Sequence, residues 1–308
     1  MNNRNIHQTV YKEKVELLLR IMPIIMDQGV FALHGGTAIN LFIKDLPRYS
    51  VDIDLTYIPV EERSQSLDNI NNHLSNIEVK IKRTLRGTQV IHNVETCKLL
   101  CEYHGKQVKI EVNKTKRGII GGEIITMGLS EKAQEQFEMY CEADIVPLTS
   151  LYGGKIAAAL SRQHPRDLFD VKYMDFPIEK CREGLIFNLL SSDKPIYESL
   201  SPNLLDQREA MKNQFEGMSE IEFSYDDFET TRLKLIKEVN EILTESDRDF
   251  LINFELGEPD WGKYEFCYFQ NYPSIKWKFQ NILKLAKSNR EKLSHNVRKL
   301  KQIFSSDN

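Results

Sequence analysis

The side chains best suited to chemistry lie in residues 31–55, where an Asp-x-Asp pair follows a Gly-Gly-Thr turn. Asp52 and Asp54 are two residues apart on an apolar segment, so strand alternation places both carboxylates on one face. Neighbouring like charges repel unless a cation lies between them. A hard divalent ion accepts carboxylate oxygens and then substrate phosphates. The pair therefore predicts a metal site, with Mg²⁺ as the expected ion and Mn²⁺ as an alternative.

The Gly-Gly-Thr turn predicts a phosphate site next to that metal. Gly35 and Gly36 lie between a predicted strand and a predicted helix start at Thr37. Glycines at such a junction let backbone N–H groups approach an anion closely. An Asp-x-Asp pair alone also occurs on many surface strands, but the preceding turn favours nucleotide chemistry.

A third carboxylate is predicted at Glu111, within the apolar segment Val108–Val112. If that strand pairs beside the Asp52–Asp54 strand, three acids converge. One of them could then serve as general base while the others hold metal. The alternative is that Glu111 is a solvated partner of Lys109.

Arg48 and Ser50 precede the metal strand and are expected at the edge of the site. Arg48 is a candidate phosphate ligand, or else a partner of Asp45 or Asp52. Ser50 is expected to brace the turn through a backbone hydrogen bond.

The elements that must position these residues follow from hydrophobic periodicity. An amphipathic lead helix is predicted over 9–28, and the region after Pro147 is predicted to be helical. Between them we predict a strand at 30–34, a helix at 37–44, a strand at 50–57, a helix from Pro59 to about Asn76, and strands at 79–85, 89–94, 96–103 and 107–113.

Composition excludes several classes of protein. The 308-residue chain has 41 Lys and Arg against 45 Asp and Glu, a net charge of −4, so it is not polybasic as a whole. Its five cysteines form no CxxC motif, which favours reduced thiols over a disulfide framework or a zinc site. With no signal core at its start and no run of the ~18–20 apolar residues that a membrane span needs, it is expected in the cytoplasm, away from the membrane.

Four motifs in order carry a resemblance to a known family. They are GGTA, then RxSxDIDL with Arg48, Ser50, Asp52 and Asp54, then the acid strand at Glu111, then the helix Leu151–Arg162 followed by Pro165-Arg166-Asp167. This pattern resembles the DNA polymerase β-type nucleotidyltransferases, and within them the AbiEii-type toxins of bacterial abortive-infection and toxin–antitoxin systems. The resemblance covers about residues 25–175, and Thr37 stands where that family often has Ser.

The resemblance implies an α+β fold, with a polymerase β-like mixed sheet flanked by helices and followed by a mainly helical C-terminal region. The expected domains are residues 1–177, the nucleotidyltransferase domain with its lead helix and Lys and Arg-Asp helices, and residues 178–308.

The resemblance also implies roles for residues in the helical segment. Lys155 is expected to contact the nucleoside triphosphate, although a lysine on this apolar helix could instead extend to solvent. Asp167 is expected in the site, whereas its position at a helix start also suits capping, as does that of Asp170.

The resemblance suggests an RNA acceptor, plausibly the 3′ end of tRNA, or else a protein hydroxyl. It also implies that modification of a tRNA end blocks translation, and that a cognate antitoxin is the partner. The segment 276–301 supports this, because it holds nine Lys and Arg and one acid, with Trp277 and Phe279 interleaved. A solvated polar face is the alternative. The candidate RNA contacts are Arg162, Arg166, Lys276, Lys278, Lys284 and Lys287.

Two other functions stay open at this point. A small-molecule nucleotidyltransferase that modifies antibiotics would use the same metal chemistry on another hydroxyl. A non-enzymatic nucleotide-binding module would keep the carboxylates for structure alone.

Overall fold

A computed structural model describes residues 3–305 as a seven-stranded mixed sheet with flanking helices and a mainly helical C-terminal region. The predicted α+β class is therefore confirmed. The strands are β1 Phe31–His34, β2 Asp52–Tyr57, β3 Gln89–Asn93, β4 Lys98–Tyr103, β5 Lys106–Val112, β6 Ile125–Gly128 and β7 Glu142–Ile145. The helices are α1 Asn3–Met26, α2 Gly35–Thr37 with its π-helical continuation Ala38–Ile43, α3 Arg63–Thr84, α4 Glu131–Phe137, α5 Leu148–Arg162, α6 Pro165–Lys172, α7 Arg182–Ser191, α8 Ile196–Leu200, α9 Arg208–Ala210, α10 Tyr225–Glu241, α11 Glu245–Leu256, α12 Pro273–Ser288 and α13 Arg290–Ser305.

The sheet has the strand order β3-β4-β5-β2-β1-β7-β6, with β2 near its centre. β2 pairs antiparallel with β1 and parallel with β5. One face is apolar, since Ile53 of β2, Ile110 of β5 and Leu99 of β4 are all fully buried on it. α1 and α3 lie against strands of this sheet, which leaves the opposite face of β2 for polar groups.

The strand predicted at 79–85 is wrong, because these residues form the last turns of α3. Ile70, Leu74, Ile77 and Ile81 are fully buried at helical spacing. Val79, which alternation would place inside a sheet, is 66% exposed. The helix predicted from Pro59 begins at Arg63 instead, and β7 and α4 were not predicted at all.

The chain forms two compact units, and the first contains the whole sheet. It comprises the residues through Pro147 together with Ala210–Glu222, which return from later in the chain. This returning segment contacts the loop before β2. The Tyr49 amide donates to Met218 O at 2.7 Å, and Ser219 Oγ donates to Pro47 O at 2.8 Å.

The second unit comprises Leu148–Glu209 and the residues from Phe223 onward, and it is helical. The predicted helical C-terminal segment is a pair, α12 and α13, with a break at Asn289. The division into domains at residue 177 stays a prediction, since compact units alone do not define it.

The cysteines are all free, and four of the five are buried. Burial raises the pKa of Cys101 and of Cys181 to about 12, and that of Cys141 to about 11. The fifth, Cys267, is exposed. Within residues 3–305, no helix has the length and apolarity required to cross a bilayer.

Helices α5 and α7 touch through their backbones at two glycines. A Cβ at Gly153 would lie 2.4 Å from the carbonyl carbon of Gly184, and one at Gly184 would lie 2.0 Å from Thr149 O. Real Cβ atoms do not approach backbone so closely, so the two helices would have to separate to admit a methyl group.

We therefore expect Gly184→Ala to lower the free energy of unfolding by about 1–3 kcal/mol or more, as overpacking does. Urea denaturation measures this. Gly262→Ala is the matched control, because its new Cβ would meet nothing closer than Asp260 Oδ1 at 3.5 Å. Equal stability of the two variants would contradict the close approach of the two helices.

Candidate active site

The two aspartates occupy one face of β2, as predicted. Asp52 and Asp54 are partly exposed, while Ile53 and Leu55 between and after them are buried. The apolar side chains fix the strand against the core, so the carboxylates have no freedom to turn inward. Asp54 is also the register partner of His34, the last residue of β1.

The glycine turn packs directly against these aspartates. Gly35 has φ +73°, and a Cβ there would lie 2.7 Å from Asp54 Oδ2. A Cβ at Gly36 would lie 2.7 Å from Arg48 Nη2 and 2.9 Å from Ser50 Oγ. Any larger residue would push the turn away from the carboxylate, so both glycines are required by the available space.

Thr37 ties the turn to the metal strand. Its hydroxyl lies 3.0 Å from Ser50 Oγ and 2.5 Å from the Asp52 carbonyl oxygen. Arg48 is buried and donates from Nη1 to Tyr49 O at 2.9 Å. Ser50 thus contacts the turn through the Thr37 side chain, where a backbone hydrogen bond was predicted. The structure brings together all seven predicted residues of this region.

Glu111 lies in the row of residues that contains Asp54, because β2 and β5 pair in parallel with Asp54 opposite Glu111 and Asp52 opposite Lys109. Directly paired residues project to the same face. Glu111 is held by two lysines, with Lys98 Nζ 3.0 Å from Oε1 and Lys109 Nζ 3.1 Å from Oε2. Glu111 therefore shares a face with Asp52 and Asp54, and it also forms the ion pair with Lys109 that the sequence offered as its alternative role.

Glu111 and Lys109 shift each other's pKa values. Burial raises the pKa of Glu111, but hydrogen bonds from Lys98 and Lys109 outweigh it and leave the pKa below its ordinary value. Burial lowers the pKa of Lys109, but Asp52 and Glu111 outweigh it and leave that pKa raised. Both groups are therefore charged at neutral pH.

Asp52 and Asp54 fit a hard divalent cation by the chemistry of their oxygens and their shared face. Among residues 3–305, no three His, Cys, Asp or Glu side chains are grouped so that they could hold one ion. At this site both oxygens of Glu111 contact lysine ammonium groups, which repel a cation. The donor set that fits a metal as it stands is the Asp52–Asp54 pair.

In the second unit, Lys155 does not extend to solvent but forms a buried ion-pair cluster. Its side chain is 6% exposed, and Nζ lies 3.0 Å from Asp167 Oδ1 and 2.8 Å from Asp170 Oδ2. Arg162, which is largely exposed, covers the cluster with Nη2 2.8 Å from Asp167 Oδ2. His164 is the N-cap residue of α6, and its Nδ1 accepts a hydrogen bond from the Arg166 amide. The helix that begins there orients Asp167 and Asp170 toward Lys155 on α5.

The predicted RNA contacts fall into two groups. Lys276, Lys284 and Lys287 are exposed on α12. Lys278 is buried, and its ammonium donates to Leu189 O and Lys194 O at 2.8 Å each. Lys278 therefore stabilises the second unit from within, and its ammonium does not belong to the exposed basic surface of α12. Arg162 is engaged by Asp167, and Arg166 is half-buried in the first turn of α6.

Lys98 is the site residue that sequence reasoning missed. It lies on β4 opposite Glu111, and only the antiparallel register of β4 and β5 brings the two together. An i,i+2 pattern such as Lys109-x-Glu111 is visible in the sequence, whereas a cross-strand partner requires the pairing to be known.

The family profile of the AbiEii nucleotidyl transferase toxins, described as belonging to type IV toxin–antitoxin systems, matches residues 17–284. Since this is most of the chain, the protein belongs to the AbiEii family of nucleotidyltransferase toxins, and the predicted resemblance is confirmed. Nucleotidyltransferases of this superfamily generally use divalent metals.

Among solved structures, the chain is similar to MenT4, a nucleotidyltransferase toxin from Mycobacterium tuberculosis H37Rv. The TM-score is 0.57 at 10% sequence identity, over 92% of this chain and 94% of that one. At this identity the similarity concerns the fold. No curated protein matches the chain in sequence.

The buried cluster gives a test of stability. Lys155→Met leaves Asp170 and Asp167 buried without their ammonium, so we expect the free energy of unfolding at pH 7 to fall by about 3–5 kcal/mol. Urea denaturation measures this. Arg162→Met is the matched control, because Arg162 is 63% exposed and should contribute no more than about 1 kcal/mol.

The same cluster should make stability depend on pH. Burial raises the pKa of Asp167, but Lys155 and Arg162 outweigh it and leave the pKa lowered. Because this pKa is lower in the folded state than in the unfolded state, the ionised Asp167 stabilises the folded protein above the unfolded-state pKa of about 4. We expect the free energy of unfolding to lose that contribution as the pH falls through the folded-state pKa. A Lys155→Met variant whose unfolding midpoint matches that of the unsubstituted protein at pH 7 would contradict the cluster.

Proposed function

We propose that this protein transfers a nucleoside monophosphate from a nucleoside triphosphate to a hydroxyl of an RNA acceptor and releases pyrophosphate. The observation that carries this proposal is the Gly35-Gly36-Thr37 turn packed against Asp54, on the strand that presents Asp52 and Asp54 together. A phosphate-sized anion placed at the turn would lie beside both carboxylates.

Asp52 and Asp54 would hold the divalent metal, with Mg²⁺ as the expected ion and Mn²⁺ as an alternative. When bound, such an ion neutralises phosphate charge and polarises the phosphorus toward attack. The protein's own part is placement. The backbone of Gly35 and Gly36 positions the phosphates, and Thr37 and Ser50 fix the turn on β2.

Lys155 and Asp167 belong to this machinery by the family resemblance, Lys155 as a triphosphate contact. Their mutual ion pair gives each a fixed geometry, and, despite burial, Lys155 and Arg162 keep the pKa of Asp167 below its ordinary value. Glu111 stays a predicted metal ligand and general base, although its two lysine partners favour the role argued for it in the next subsection.

The exposed surface of α12 and α13 supports an RNA acceptor. Eight of the nine basic residues of 276–301 are exposed, and Trp277 is 46% exposed among them. Basic side chains contact phosphates, and an exposed aromatic ring stacks on unpaired bases. We propose the 3′ end of tRNA as the acceptor, in the cytoplasm, so that modification blocks translation and a cognate antitoxin is needed.

Asp52→Asn is the test of the transfer reaction. We expect transfer of an α-labelled nucleotide to cellular RNA to fall by at least 100-fold, because the carboxylate that holds the metal is removed. The matched control is Asp68→Asn, an exposed acid on α3, which should keep full activity. Retained label transfer by the Asp52 variant, with the fold intact by circular dichroism, would overturn the metal assignment.

The acceptor can be tested through the charge of α12. We expect the triple variant Lys276→Glu, Lys284→Glu and Lys287→Glu to weaken RNA binding and to flatten its salt dependence, by a slope of about 0.7 for each phosphate that is no longer neutralised. The control variant Lys234→Glu, Lys237→Glu and Lys263→Glu changes net charge equally, at exposed lysines that lie outside α12 and α13.

The assay of label transfer from an α-labelled nucleotide should also offer aminoglycosides as acceptors. Label on the drug and none on RNA would favour the small-molecule nucleotidyltransferase. No Mg²⁺-dependent binding of triphosphate by calorimetry would favour the non-enzymatic module.

A further inference from the structure

Two lysines share the polar sheet face with the carboxylates of β2. Lys109 is the register partner of Asp52, and Lys98 is the register partner of Glu111. Around Asp52 and Asp54 the face therefore carries Glu111 and two ammonium groups, and the further carboxylate of Glu102 lies four residues beyond Lys98 along β4. Each lysine ends on a different oxygen of Glu111.

These ammonium groups are reachable from solvent, in contrast to the two buried lysines of the second unit. The side chains of Lys98 and Lys109 are 36% and 39% exposed, whereas that of Lys155 is 6% exposed and its cluster is closed by aspartates. A ligand on this face can contact Lys98 and Lys109 without any rearrangement of the sheet.

The charge balance of the face indicates what that ligand is. Lys109 stands opposite Asp52 in the register of β2 and β5, so the carboxylate attracts the ammonium. A divalent ion taken up by Asp52 and Asp54 would cancel that attraction and repel the neighbouring ammonium. An anion that contacts both the ion and the ammonium restores the balance, and a chain of phosphates carries the required charge.

We propose that Lys98 and Lys109 bind the phosphate chain of the nucleoside triphosphate, and that Glu111 is a positioning residue that holds both ammonium groups beside Asp52 and Asp54. This inference rests on the proposed function and names further residues of the same site. A carboxylate that accepts hydrogen bonds from two lysines holds both ammonium groups beside it, because the N–O distance of each hydrogen bond is confined to a narrow range. A metal-ligand role for Glu111 would instead bring a cation close to the two ammonium groups that its oxygens already contact.

The two roles for Glu111 differ in what its removal changes. As a positioning residue, it affects nucleotide affinity and leaves the metal requirement as it is. As a metal ligand, it affects the Mg²⁺ concentration at half-maximal activity. Nucleotide binding can be followed by calorimetry with a non-hydrolysable α,β-methylene triphosphate, with and without Mg²⁺, so the readout does not depend on turnover.

We expect Lys109→Met to weaken binding of that analogue by about ten- to a hundredfold, the loss of one charge-assisted hydrogen bond, and to raise KM more than it lowers kcat. Lys98→Met and Glu111→Gln should weaken binding in the same direction, with the Mg²⁺ requirement unchanged. Because Glu111 acts through Lys109, the double variant Lys109→Met, Glu111→Gln should weaken binding by less than the product of the two single effects.

Lys82→Met is the matched control. Lys82 is an exposed lysine on α3 whose ion pair with Glu78, at 2.6 Å, resembles those of Lys98 and Lys109 in length. Its substitution should leave nucleotide affinity and the Mg²⁺ requirement unchanged, and the melting temperatures of all variants confirm folding.

Unchanged analogue affinity in both lysine variants would overturn the inference. So would a Glu111→Gln variant whose Mg²⁺ requirement rises while its nucleotide affinity stays the same. These failures are distinct from failure of the proposed function, which would show as full label transfer by the Asp52→Asn variant whatever the lysine variants do.

Discussion

The parallel pairing of β2 with β5 is the constraint on which the candidate site depends. Its register places Asp52 opposite Lys109 and Asp54 opposite Glu111, so charges of both signs stand on one face. Three carboxylates there would repel one another strongly, and the lysines offset that repulsion before any ligand binds. A shift of one residue would send Asp52 and Asp54 into the core, so the buried Ile53 and Leu55 also protect the chemistry.

The turn before α2 shows how local sequence serves this arrangement. The Asp54 carboxylate lies close to where a Cβ of residue 35 would be. The Arg48 guanidinium and the Ser50 hydroxyl lie close to where a Cβ of residue 36 would be, so glycine suits both positions. Thr37 then fixes the distance between turn and strand through its hydroxyl. The glycines, the hydroxyl and the Asp-x-Asp pair thus form one unit, in which each residue limits the position of the next.

The features that sequence could predict are those set by local pattern. Alternation on β2 identified Asp52 and Asp54, and the glycine pair identified the turn. The error at 79–85 arose because Val79, Ile81 and their neighbours fit a period of two over a short window, whereas the longer series from Ile70 has helical spacing. Family resemblance supplied the fold class, which local pattern alone did not give.

What sequence could not predict depends on pairing between distant segments. The burial of Lys155 follows from the packing of α6 on α5, which brings Asp167 and Asp170 to one ammonium. Lys278 looked like one cation of a basic stripe, yet its neighbours in space are two carbonyl oxygens some 80 to 90 residues away in sequence. Charge counted along a helix does not tell which side faces a partner element.

The segment Ala210–Glu222 has a consequence for how the protein is made. It belongs to the same compact unit as the sheet and contacts the loop that holds Arg48 and Tyr49. During synthesis on the ribosome, the strands of the sheet therefore emerge well before the piece that completes their unit. The nascent chain therefore lacks the backbone contacts of Arg48 and Tyr49 with Ser219 and Met218 until Ala210–Glu222 has left the exit tunnel.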